Sequence, residues 1–165
     1  FELLKKAGKI LHYGISSIRP NVIREYVKRS SITSVMMQYS LLDRRPEESC
    51  LHLLQQNQIG VLARGTVASG LLAGKPAKPY LGHETHAVQQ AGEMIRQIAE
   101  ETGMPAATTA IQFVVQHAAI TSAVIGIRTL EQLAEALKAG DQNLSEANYQ
   151  RLRQSVAALQ YAEHR

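Results

Sequence analysis

Four short apolar runs, each followed by a segment of helical character, constrain this chain more than any other feature. The runs are Lys9–Ile15 (KILHYGI), Ser34–Gln38 (SVMMQ), Ile59–Ala63 (IGVLA) and Ser122–Gly126 (SAVIG). After the first, Pro20 stands at a first helical turn, and Val22, Ile23, Tyr26 and Val27 recur at helical spacing. After the second, Pro46–Asn57 opens with proline and two glutamates, a charge that suits a helix N-terminus. Two helices follow the third run: Ala87–Thr102, with Gly103 as its C-cap, and Pro105–Ala118. Thr129–Lys138 follows the fourth, N-capped by Thr129 and closed by Gly140, and Leu144–Tyr161 is a last helix opened by Ser145.

Strand and helix in alternation imply parallel strands joined by helical crossovers. Such strands are expected to be buried on both faces, which accounts for their nearly continuous apolar character. Four units are half of an eight-stranded barrel, for which about 250 residues are typical. The expected fold class is therefore α/β, of the (β/α)8 barrel type, with four βα units and a C-terminal helix over residues 1–165. Periodicity leaves an open doubly wound sheet as the competing architecture. The first residue is Phe1 and FELLKKAGK reads as the middle of a helix. The expectation is a chain that begins inside a larger product; a trimmed terminus is the plainer alternative.

Composition narrows the partners. The net charge is +4, and Lys and Arg are dispersed rather than gathered into a stripe. With no Trp and few other aromatics, the basic–aromatic interleaving of single-strand binders is missing, so no nucleic acid is expected. No stretch reaches the roughly 20 apolar residues of a bilayer span, and no secretory signal opens the chain, so no membrane is expected. The one cysteine, Cys50, reads as a buried small apolar residue in a reducing compartment, the cytoplasm. The six histidines show no metal-ligand spacing.

In parallel α/β proteins ligands sit beyond the C-terminal ends of strands. Ser16 and Ser17 follow the first strand, as ligand contacts or as caps of the next helix. Gln38 ends the second; an amide at the end of an apolar strand must satisfy its donors and acceptors and is well shaped to hold a carboxamide. Behind the third lies Arg64–Lys75, whose three glycines in GTVASGLLAG let backbone N–H groups approach a phosphate. Gly126, Ile127, Arg128 and Thr129 follow the fourth, where a guanidinium meets the free amides of a helix N-terminus, a pairing that favours phosphate. Pro76–Thr85 reads as an irregular loop, and Asp43 as a turn residue.

These segments resemble the aldo-keto reductase family. GKILHYGISS is similar to its fifth strand, VMMQYSLLDRRPEE to the sixth strand and following loop, GVLARGTVASGLLAGK to the seventh-strand segment, SAVIGIRTLEQLAEAL to the eighth, and LSEANYQRL to the terminal helix. The resemblance implies the C-terminal half of the barrel and NADPH (NADP+) as cofactor, with the other barrel half or a second copy as partner. It implies that Ser16, Ser17 and Gln38 hold the nicotinamide carboxamide, Ser17 standing where Asn is usual. Gly65, Thr66, Val67, Ser69, Gly70 and Lys75 would surround the pyrophosphate, with Thr66 in place of the usual Pro. Gly126, Ile127, Arg128 and Thr129 would meet the adenosine 2′-phosphate, and Gln132 and Glu135 would flank the adenosine, where Ala136 replaces a common Asn. Arg64 takes the place of an aromatic under the nicotinamide. A guanidinium lies flat on a π-face but is repelled by the cationic oxidised ring, so Arg64 favours NADPH over NADP+ or else points at a phosphate. The family's catalytic Asp, Tyr, Lys and His lie before the fifth strand, so this chain is expected to hold no catalytic residue. The implied reaction is reduction of an aldehyde or ketone carbonyl; the alternative is a non-catalytic nucleotide-binding or regulatory module.

Overall fold

A computed structural model describes residues 1–164, with the backbone alone at Asp141. Four strands, β1 (Gly14–Ser16), β2 (Ser34–Gln38), β3 (Gly60–Arg64) and β4 (Ile120–Val124), form one parallel sheet in the order β1-β2-β3-β4. Strand order follows chain order with no reversal. A doubly wound sheet reverses at its switch point, whereas a barrel adds each strand beside the last. The helices are α1 (Glu2–Lys6), α2 (Pro20–Arg29), α3 (Cys50–Gln56), α4 (Thr85–Thr102), α5 (Ala106–Val115), α6 (Leu130–Asp141) and α7 (Glu146–Ser155).

The strands are not buried on both faces, as their apolar character suggested. Val35, Met37, Val61 and Ala63 are fully buried, while the alternate residues Ser34, Met36, Gln38, Gly60, Leu62 and Arg64 are half-buried or exposed. The register pairs Met36 with Leu62 and Gln38 with Arg64, so the less covered residues share one face. Helices supply the other side: Ile23, Leu54, Phe113 and Leu152 join the same core as the inward strand residues. Burying each such side chain contributes about 1.5–3 kcal/mol. Phe113 is the hinge of this packing, stacked on Tyr39 at 6.3 Å and on Tyr149 at 5.1 Å between ring centroids. It ties the tip of β2 to the terminal helix.

Element boundaries moved where side chains intervene. β1 begins at Gly14, well inside the apolar run Lys9–Ile15. A Cβ on Gly14 would sit 2.3 Å from Ser34 Oγ and 2.6 Å from its carbonyl oxygen, so only glycine allows the close pairing with β2. Pro46–Asn57 is not one helix: a 3₁₀ turn over Arg45–Glu48 breaks at Ser49 before α3. The Glu47 carboxylate, inside that turn, accepts from Tyr39 Oη, Arg44 and Arg153 and pins it toward α7. β4 starts two residues earlier than the apolar run suggested, because the Thr121 hydroxyl accepts from Val61 N–H at 3.1 Å beside a register shift at Val61/Leu62. Gly140 lies inside α6 rather than closing it, and α7 ends at Ser155, not Tyr161. Thr129 and Ser145 do cap their helices, and Gly103 takes the left-handed conformation after α4.

Candidate functional site

The strand register brings the proposed ligand residues to one end of the sheet. Ser16 pairs with Met36, Gln38 with Arg64, and Arg64 with Val124. Ser17 N–H donates to the Met36 carbonyl at 3.0 Å and Tyr39 N–H to the Arg64 carbonyl at 3.1 Å, which extends the ladder to the tips. Across the tips, Arg64 Nη1 donates to Gln38 Oε1 at 2.9 Å. A cavity of about 570 Å³ opens there, lined by Ser16, Ser17, Ile18, Arg19, Tyr26 and Arg64 among others. Sequence reading named the two serines and the arginine; the wall from α2 was missed, since nothing in its helical pattern marks it as a lining. Ser17 Oγ accepts from Arg19 N–H at 3.1 Å, two residues on, and so does not cap α2.

The segment after β3 is not simply a loop. Ala68–Ala73 forms 3₁₀ turns, and Gly65, Ala68, Ser69, Gly70 and Gly74 all have positive φ. Gly65 has a specific reason: at φ +72° a Cβ would press to 3.3 Å from Gln38 Cγ, so its absence leaves room for the amide. Lys75 folds back over Gly70 and donates from Nζ to the Ser69 carbonyl at 2.9 Å. Thr66 is buried and Val67 half-buried.

The corner after β4 is built differently. Gly126, Ile127, Arg128 and Thr129 are exposed. Thr129 Oγ1 accepts from Gln132 N–H at 3.2 Å, while Gln132 Oε1 accepts from Arg128 N–H at 2.8 Å. The Gln132 and Arg128 amides are thus met by local side chains. Glu135 offers its carbonyl to Thr108 Oγ1 at 3.3 Å, which fastens α6 to α5. Arg128 lines neither the tip cavity nor a second cavity of about 320 Å³ between Leu71–Ala77 and α4.

A further residue at the tip comes from the loop Pro76–Thr85: Tyr80. Its hydroxyl accepts from Gln38 Nε2 at 3.0 Å. Burial pushes its phenol upward, Asp43 adds to that, and Arg64 and Arg45 oppose it. No local signal in Pro76–Thr85 shows that the loop doubles back across 42 residues to β2. Asp43 is a turn residue as expected, bridged to Ser40 and gripped by Arg45 through two hydrogen bonds of 2.7 and 2.8 Å. Cys50 is buried, and burial pushes its thiol up, away from reactivity.

A sequence profile of the Aldo/keto reductase family matches residues 1–157. The chain belongs to that family. It is 41% identical over 175 residues to an uncharacterized oxidoreductase of Bacillus subtilis, YqkF, covering all of this chain and 56% of that protein. An NADH-specific methylglyoxal reductase of Escherichia coli is 27% identical, over 95% of this chain and 52% of its own length. Among solved structures, an aldo-keto reductase of Bacillus halodurans in its holo form superposes with a TM-score of 0.89 at 38% identity, covering 99% of this chain and 54% of that one. The chain therefore spans about half the length of the curated relatives it matches. An α/β fold of the family's barrel type and an oxidoreductase family are established by these likenesses, and among the described residues no helix is long and apolar enough to cross a membrane.

Proposed function

We propose that this chain supplies strands five to eight, the C-terminal half, of the barrel of an NADPH-dependent carbonyl reductase, and that it holds the cofactor while other strands carry the catalytic groups. The observation that carries the reading is the Gln38–Arg64 pair, set on adjacent strand tips beside the cavity of Ser16 and Ser17. When bound, NADPH supplies a hydride to the carbonyl carbon of an aldehyde or ketone.

The residues fit that cofactor. Gln38 keeps one N–H and one oxygen lone pair beyond its contacts to Tyr80 and Arg64, the complement of a primary carboxamide. Ser16 and Ser17 line the adjoining cavity together with Arg64. Arg64, tethered to Gln38 rather than to the glycine loop, lies where it would face the nicotinamide; beside a cationic ring it would disfavour NADP+ and so hasten its exchange. Gly65, Thr66, Val67, Ser69 and Gly70 form the bend that would approach the pyrophosphate, with Lys75 laid over Gly70. Gly126, Ile127, Arg128, Thr129, Gln132 and Glu135 border the adenosine end in this reading. There the exposed Arg128 guanidinium would select a 2′-phosphate, and the NADH specificity of the Escherichia coli relative makes this the point to test. The protein's part is orientation and electrostatics. The substrate is a small carbonyl compound, the partner is the other barrel half, and the setting is the cytoplasm.

The test is a fluorescence titration of the complete protein with NADPH and with NADH. NADPH is expected to bind about tenfold tighter or more, as a charge-assisted guanidinium–phosphate contact would give. Equal affinities would overturn the assignment of the 2′-phosphate to Arg128.

A further inference from the structure

We propose that Tyr80 is a positioning residue for the nicotinamide end of the cofactor, fixing the plane of the Gln38 carboxamide from the side opposite Arg64. The proposal rests on the cofactor reading above and adds a residue from a loop outside the strand tips.

The chemistry of the three groups is mutually determined. A guanidinium only donates, so its contact with Gln38 requires the amide oxygen to face Arg64. That turns Nε2 to the other side, where it must find an acceptor, and the Tyr80 hydroxyl supplies one at 3.0 Å. Arg64 is exposed, and a single tether through a long exposed side chain leaves the amide free to rotate about its last torsion. Two tethers on opposite sides remove that freedom. Gly65 leaves this arrangement its room, since a Cβ there would press on Gln38 Cγ. The amide therefore presents its unspent N–H and lone pair in one direction before any ligand arrives.

Tyr80 is itself held. It opens a tight turn in which Tyr80 N–H donates to the His83 carbonyl at 3.0 Å and His83 N–H returns to the Tyr80 carbonyl at 2.9 Å. Leu81 and Gly82 take φ of 54° and 100°. The buried His83 is hydrogen-bonded to the Leu42 backbone, so the turn docks against the Ser40–Asp43 turn that follows β2. A leucine in the left-handed region is uncommon and is retained only where the surroundings over-determine it. The turn is thus rigid enough to act as a stop for Gln38.

The experiment compares three proteins, wild type, Tyr80→Phe and Gln38→Ala, each as the complete protein. It reads the affinity for NADPH and for 2′,5′-ADP, a fragment that lacks the nicotinamide. Tyr80→Phe keeps the ring and its packing and removes only the hydroxyl. It is expected to weaken NADPH about three- to tenfold, the worth of one neutral hydrogen bond, and to leave 2′,5′-ADP unchanged. If both ligands weaken equally, Tyr80 is a general loop anchor and the proposal is overturned. It is equally overturned if Tyr80→Phe binds both as wild type does while Gln38→Ala weakens NADPH; the cofactor reading would then stand. If Gln38→Ala leaves NADPH affinity unchanged, the cofactor reading itself fails and takes the proposal with it.

Discussion

The tip of β2–β3 and the corner of β4–α6 are the two ends of one candidate cofactor site, and they are built on opposite plans. At the first, polar side chains are linked to one another. Gln38, Arg64 and Tyr80 hold one another, and beneath them Glu47 collects Tyr39, Arg44 and Arg153. At the second, Arg128 is exposed, the Arg128 and Gln132 amides are met by Gln132 and Thr129, and of the side chains of α6 only Ala139 is buried among those described. Leu130, Leu133 and Leu137 are 82%, 40% and 66% exposed at helical spacing. The contrast teaches that preorganisation is unevenly distributed. At the first end side chains hold one another before any ligand arrives, while at the second the guanidinium stays open to solvent.

The largest expected effect would break that contrast if it failed. In a closed barrel the apolar stripe of α6 would be covered, so Leu137→Asp in the complete protein should cost about 3–5 kcal/mol, the loss typical of an unpaired charge forced into an interior. In this chain alone the same change should stay within about 0.5 kcal/mol, as surface substitutions do. Denaturant unfolding of both forms measures it. Equal small costs would mean that α6 faces solvent in the whole protein too.

Next in size is Glu47→Gln, aimed at the first of these ends. Burial pushes the Glu47 carboxyl up, but hydrogen bonds from Arg44 and Tyr39 outweigh it and hold its pKa below the ordinary 4.5. A carboxylate whose folded pKa is depressed stabilises the fold above its unfolded value, and that contribution is lost as pH falls through the folded one. The substitution should cost about 2 kcal/mol at pH 7, reduced from a fully buried pair because Glu47 and Arg153 are partly exposed. The difference from wild type should shrink below pH 4.5. Smaller again is Arg128→Ala. Stability should move by no more than about 0.5 kcal/mol, while the preference for NADPH over NADH falls about tenfold.

Much of this was legible in the residues, and the failures have physical causes. Local signals survived: the caps at Thr129 and Ser145, the left-handed Gly103, and the strands Ser34–Gln38 and Gly60–Arg64, the latter offset by one residue from the apolar run. Gln38 was found because a polar group at the end of an apolar strand needs partners, and Arg64 through the resemblance to the family. What failed depended on contacts distant in sequence. The break at Ser49 follows from Glu47 reaching to Arg153, and the start of β1 from the clash a Cβ would make with Ser34. Burial of both strand faces was inferred from apolar runs. Helices pack against the face of Val35, Met37, Val61 and Ala63, so an apolar run did not ensure cover on the other face. Tyr80 was invisible because only the fold brings it to Gln38.

The smallest prediction sharpens the comparison by holding chemistry constant. Thr129 Oγ1 and Ser145 Oγ each accept from the backbone N–H three residues on, both at 3.2 Å. Removing either hydroxyl removes the same kind of bond, ordinarily about 1 kcal/mol of helix stability. The helices differ. α7 buries Tyr149, Leu152 and Ser155, so it unfolds with the core and Ser145→Ala should register nearly in full in global unfolding. The first turn of α6 buries none of its side chains, so it frays before the core opens and Thr129→Ala should register only a few tenths of a kcal/mol globally. Hydrogen exchange would locate the missing part as faster exchange of the Gln132 amide. If Thr129→Ala instead lowered global stability as much as Ser145→Ala, α6 would be part of the cooperative core despite its exposed leucines.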